Sequence, residues 1–304
     1  MPLRAATVTL AVLASFAAGC GNEDETAAAG AAQVVATTAQ VADLARQVGG
    51  ERVAVTQLLA PGSDPHDYEP RPDDVKAVAG ADLVLASGLG LDAWIDEVVE
   101  SAGSDAQVVR LGDGAPVKLE AVEHDDGATD PHWWHEPRNV AAAATQVAAA
   151  LGDAPLAGAY RREVERVSAG IRRCLGAVPA ARRRLVTDHD AFAYFAAAYD
   201  VEVVGAVIPS TTSQAQASAG ELSRLAATIE REAVAVVFPE AGLSPDLAEA
   251  LAQRTGAEVG GALYADALGE PGGPAGTVLG AAAANADTLV RGFTGGERTC
   301  PISP

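Results

Sequence analysis

The chain has five histidines in 304 residues, four of them in polar, proline-bracketed or acid-flanked settings. His66 stands in GSDPHDYEP, after a predicted strand and before a helix opening near Pro72. His132 stands in DPHWWHEP, which repeats the Asp-Pro-His order and adds His135 three residues on, with Glu136 beside it. Pro131 and Pro137 restrict the backbone on both sides and lower the entropy cost of holding an imidazole in one direction. His189 lies in LVTDHDAFAYF, where a strand ends and an aromatic helix begins, with Asp188 and Asp190 as neighbouring acceptors for its second ring nitrogen. Asp266, in ALYADALGEPG, again follows a predicted strand. Loops at the carboxyl ends of strands are where α/β sheets place ligands. Neutral imidazoles suit a borderline-soft cation, and three with one carboxylate make a closed four-coordinate site with Zn–N distances of about 2.0–2.1 Å. Such a site keeps no position for substrate chemistry. Taken singly, each residue also has an ordinary reading: His66 as a surface turn, and Trp133, Trp134, Phe192, Tyr194 and Phe195 as core packing.

The elements that must position these groups form two series in which short β-branched runs alternate with helical patterns, as in parallel sheets with crossover helices. The first has strands near Val34, from Val53, Leu83 and Gln107, with helices predicted over Ala39–Val48, Pro72–Ala79 and Leu91–Ala102. The second has strands from Arg184, Val201, Val234 and Glu258, separated by SAGELSRLAATIERE and SPDLAEALAQRTG. Between them Leu156, Tyr160, Val164, Val167 and Ile171 recur at three or four, predicting one long helix from near Pro155 to near Pro179. The expected fold is α/β: two parallel-sheet lobes joined by one long rigid helix. The expected boundaries are 33–153 for the first lobe, 154–179 for the linking helix, 180–293 for the second lobe and 294–304 for a tail.

Lys and Arg total 21 against 41 Asp and Glu, a net charge of -20. This field repels phosphate backbones and argues against nucleic acid as a partner, though most of the carboxylates read as solvated surface. At the start, Arg4 precedes AATVTLAVLASFAAG and Cys20, a signal-type segment too short and Ala-rich to span a bilayer well. Ala17, Ala18, Gly19 and Cys20 resemble a bacterial lipobox, with Ala17 where Leu is usual. That implies a signal peptide over 1–20, lipidation of Cys20 and a tether over 21–32; the alternative is an ordinary secretory peptide with a chance cysteine. In an oxidising compartment Cys174 and Cys300 are candidates for a disulfide tying the tail to the middle of the chain, the alternative being two buried thiols.

GSDPHDYEP, DPHWWHEP, TDHDAFAYF, LYADALGEPG and FPEAGLSPDLAEAL, in this order, resemble the zinc and manganese solute-binding lipoproteins of ABC transporters, the cluster A-I or cluster 9 family. The resemblance implies a metal site in the cleft between the lobes, with ligands His66 and His132 from the first lobe and His189 and Asp266 from the second. It also implies a monomer outside the cytoplasm, lipid-anchored beside the membrane, partnered by a permease and through it an ATPase. Manganese-selective members typically carry Glu at the position of His189, so the imidazole here favours Zn²⁺ over Mn²⁺ as cargo. His135 departs from the family pattern, where an apolar residue is more usual; its role is open between replacing a ligand, passing metal inward and capping the loop. His124 is at most a remnant of a histidine-rich loop, and Glu240 resembles an outer acid of the cleft. Alternatives are manganese or iron cargo, a metal-dependent adhesin, or a secreted zinc hydrolase using Glu136 or Glu240 as base. No HExxH pairing supports the hydrolase.

Overall fold

The computed structural model describes residues 30–60, 62–121, 128–152, 154–213 and 217–304. The first lobe is built on four parallel strands, β1 (Ala32–Ala36), β2 (Val53–Gln57), β3 (Leu83–Ala86) and β4 (Gln107–Arg110), in the order β2-β1-β3-β4. Helices α1 (Ala39–Gly49), α2 (Pro72–Ala79) and α3 (Ile95–Ala102) make the crossovers. Because helices cover both faces, β3 reads LVLA and is buried at every residue. The direction of winding reverses at β1, so the loops at the carboxyl ends of β1 and β3 flank a crevice. The sequence predicts α3 from Leu91, but it starts at Ile95. The Asp92 carboxylate accepts from the Ser87 and Gly88 N–H groups at 2.5 and 2.9 Å and from Thr37 Oγ1 at 2.5 Å, which holds residues 91–94 as a turn.

Helix α4 (Pro137–Ala150) closes this lobe and was not anticipated. Its Ala-rich sequence packs through Val140, Ala143, Ala144 and Val147 and carries no stripe of large apolar residues. Next comes α5 (Ala157–Gly176), 20 residues long and hence about 30 Å, with Tyr160, Val164, Val167, Ile171 and Leu175 buried. Leu156, expected in that stripe, precedes the helix and is 45% exposed.

The second lobe pairs β5 (Arg184–His189) with β6 (Glu202–Ile208) and β7 (Val236–Val237) with β8 (Glu258–Val259), all parallel. The Phe238 N–H donates to the Val186 carbonyl at 2.9 Å, which sets β7 beside β5. The predicted strands from Val234 and Glu258 shorten to two residues each. Val237 pairs with Val259, but the next bridge joins Glu240 to Leu263, so one extra residue near Gly260 and Gly261 breaks the ladder. Helices α6 (Ala193–Tyr199), α7 (Ala219–Glu232), α8 (Asp246–Thr255) and α9 (Val278–Phe293) complete the fold. A single apolar cluster runs from α1 and α4 through α5 to Phe192, Phe195, Phe238 and α9, so the lobes share a core. Cys174 of α5 is bonded to Cys300, strapping the tail against the linking helix.

Candidate metal centre

Each proposed ligand sits where a regular element ends. His66 occupies a 3-10 turn (Pro65–Asp67) after β2, and His132 leads a second one (Trp133–His135) before α4. His189 is the last residue of β5, and Asp266 follows the Glu240–Leu263 bridge. The repeated Asp-Pro-His order has one structural meaning in both places. Asp64 Oδ1 accepts from the His66 N–H and Asp130 Oδ1 from the His132 N–H, each at 2.9 Å, an Asx turn that fixes the histidine backbone. The His132 loop is further held by Trp133, whose Nε1–H donates to Ser87 O and Oγ at 3.1 Å. This fit requires glycine at 112, since a Cβ there would lie 2.6 Å from Trp133 Cδ1.

The four groups converge across the lobes. The Nε2 atoms of His66 and His189 lie 3.4 and 3.3 Å from that of His132. Asp266 Oδ2 lies 3.4 Å from His66 Nε2 and 3.1 Å from His189 Nε2, and its Oδ1 lies 3.3 Å from His132 Nε2. A tetrahedron with metal–ligand bonds of 2.0–2.1 Å has edges of about 3.3–3.4 Å. These four residues are the metal-capable cluster found among the described residues. Side-chain exposure is 0% for His132 and His189, 7% for His66 and 9% for Asp266, so solvent barely reaches the centre.

The orientation of two imidazoles is fixed from behind. His132 Nδ1 lies 2.7 Å from Asp130 Oδ1 and His189 Nδ1 lies 2.7 Å from Glu240 Oε1. A carboxylate accepting Nδ1–H leaves the Nε2 lone pair facing the centre. Glu240 Oε1 also accepts from the His189 main-chain N–H at 3.0 Å, and the Glu240 N–H donates to Asp188 Oδ2 at 2.8 Å. Thus Asp188 supports Glu240, and it is not the ring acceptor that the sequence suggested. Asp130 was missed as a partner, although the doubled Asp-Pro-His order carried the signal. Burial pushes the His132 imidazole down, yet Asp266 and Asp130 outweigh it and lift it to about 9. Burial likewise opposes, and Asp266 and Glu240 overcome, so His189 stands well above the ordinary histidine range. Asp266 feels the reverse: burial raises it, but His132 and His189 hold it well below the usual carboxylate range.

His135 is not in the cluster. Its ring stacks on Phe192 with centroids 4.8 Å apart, and its buried Nε2 has no hydrogen-bond partner. Burial, then the nearby His132 cation, pushes it down to about 3. Glu136 caps α4 by accepting from the Arg138 N–H at 3.0 Å. His124 and Cys20 lie outside the described residues.

The family of zinc-uptake complex component A, periplasmic (ZnuA), matches residues 34–292. The chain belongs to this family. Among ZnuA-family relatives it is 33% identical to the zinc-binding protein TroA of Treponema pallidum over 301 residues, covering 94% of this chain and 96% of TroA. It is 30% identical to the manganese-binding lipoprotein MntA of Halalkalibacterium halodurans, covering 93% and 96% of the two chains. The solved structure of the T. pallidum periplasmic zinc-binding protein TroA superposes with a TM-score of 0.78 at 29% identity, covering 87% of this chain and 99% of that one. ZnuA-family proteins are the extracytoplasmic metal-binding components of ABC-type importers. No helix among the described residues is long and apolar enough to cross a membrane.

Proposed function

We propose that this chain captures Zn²⁺ with His66, His132, His189 and Asp266 and delivers it, as a lipid-anchored monomer tethered through Cys20, to an ABC permease and its ATPase. The observation that carries this reading is the convergence of one ligand atom from each of the four residues to within 4.8 Å of one another, with five of the contacts among them at 3.1 to 3.4 Å, close to the edge of a tetrahedral Zn²⁺ shell. Three imidazoles with one carboxylate favour zinc over the harder manganese ion. MntA of H. halodurans is among the relatives that support a manganese cargo, and a carboxylate in place of His189 would strengthen that reading. Hydrolysis is disfavoured because Glu240 is engaged by His189 and Glu136 by Arg138, which leaves neither as a base. Capture begins with a hydrated ion in a parted cleft. Its waters are replaced by two ligands from each lobe, and the closed arrangement is what the permease receives.

The test is metal content by mass spectrometry with competitive Zn²⁺ and Mn²⁺ titration, on protein lacking the first twenty residues and on its His66→Ala and His189→Ala variants. One tightly held zinc, lost in both variants, supports the reading. Binding indifferent to both substitutions, or preference for Mn²⁺, overturns it.

A further inference from the structure

We propose that Ser213 and Gln40 are positioning residues that reach in opposite directions across the cleft, and that their hydrogen bonds set how long the closed protein retains its ion. The inference rests on the zinc site described above. Ser213, in the loop after β6, donates through Oγ to Asp64 Oδ2. Asp64 Oδ1 in turn accepts from the His66 N–H at 2.9 Å, so a second-lobe hydroxyl fixes the turn carrying a first-lobe ligand. Gln40, at the start of α1, does the converse: its Nε2 donates to the Asp266 carbonyl at 2.6 Å. Trp134 Nε1–H adds a bond to the Ala265 carbonyl at 3.0 Å. Gln40 is 1% exposed and its Oε1 has no partner, so the amide is oriented by the bond to Asp266. Turning the amide over would set its oxygen against a carbonyl.

The gap between the lobes that reaches Asp266 lies beside the first of these bonds. A cavity of about 40 Å³, lined by Gly62, Ser63, Asp64, Glu240, Gly242 and Asp266, separates the His66 loop from the loop after β7. The two loops nearly touch there: a Cβ on Gly242, whose φ is +96°, would lie 3.4 Å from the Gly62 carbonyl oxygen. An ion leaving between these loops must first part the lobes, which breaks the Ser213 and Gln40 bonds. Capture starts from the parted state, in which neither bond exists. Contacts made only in the closed state slow escape and leave capture unchanged.

The experiment is stopped-flow zinc release into excess chelator, with the association rate measured separately, on the full mature chain. Ser213→Ala and Gln40→Met are each expected to release zinc about five- to tenfold faster, and the double variant by roughly the product, with association unchanged. Ser213→Thr, which keeps the hydroxyl, should restore the slow release. If Gln40→Met fails to fold, the two Ser213 variants decide alone. Wild-type release rates in Ser213→Ala, or slower association in place of faster release, overturn the proposal. A wild-type chain that binds no zinc would overturn the underlying site reading, a separate outcome.

Discussion

Protons and metal should compete strongly for the centre, and the structure sets the scale. With His132 lifted to about 9 in the closed arrangement, its imidazole carries a proton at pH 7 when the closed centre holds no metal. Removing it two units below that value costs about 2.7 kcal/mol, a factor of about 100 in affinity. His189, well above the ordinary range for the same reason, surrenders a second proton. The sign follows directly: the metal-free state binds more protons than the loaded one, so affinity rises with pH up to about 9 and acid promotes release. Zinc binding at pH 7 should therefore liberate about two protons from this pair, and affinity should change about a hundredfold per pH unit between 6 and 8. Two imidazoles at the ordinary value would liberate only about half a proton together. Titration calorimetry in buffers of different ionisation enthalpy counts the protons. A count of half a proton, or affinity that is flat from pH 6 to 8, would refute the electrostatic argument.

Other perturbations probe the supports. Glu240→Gln and Asp130→Asn should each weaken zinc about 10- to 100-fold while leaving the stoichiometry at one, read by competitive chelator titration. His135→Leu should bind zinc as the wild type does, and its melting temperature should not fall, because a buried imidazole nitrogen without a partner is removed. Gly112→Ala should destabilise the metal-free protein by about 1–3 kcal/mol in urea unfolding, since the new methyl would collide with Trp133. Reducing Cys174–Cys300, which closes a span of 126 residues, removes up to about 5 kcal/mol in the chain-entropy model and should lower the melting temperature by roughly 10 °C. Zinc affinity should survive that reduction, because neither cysteine touches the centre.

The four residues that converge were legible because each stands in an unusual local sequence. Pro brackets His132, acids flank His189, and the glycine-rich GEPGG follows Asp266. What stands behind them was less legible. Asp188 and Asp190 are neighbours of His189 in sequence, but adjacent residues along extended chain point to opposite faces, so neither reaches its ring. Glu240, 51 residues away in the loop after β7, does. The cross-lobe contacts of Gln40 and Ser213 have no local signature, since each depends on two lobes meeting. In the fold, α4 and α9 went unseen because AAAATQVAAA and GAAAANAD bury small side chains without the large apolar stripe that marks α5. The shortening of β7 and β8 follows from register at Gly260, which the β-branched runs on either side concealed.

Zinc K-edge absorption on the stoichiometric zinc complex tests the central claim most directly. Four ligands at about 2.0–2.1 Å are expected, three with imidazole multiple scattering and one oxygen. A five- or six-coordinate shell, sulfur in the first shell, or fewer than three imidazoles would contradict the proposed site.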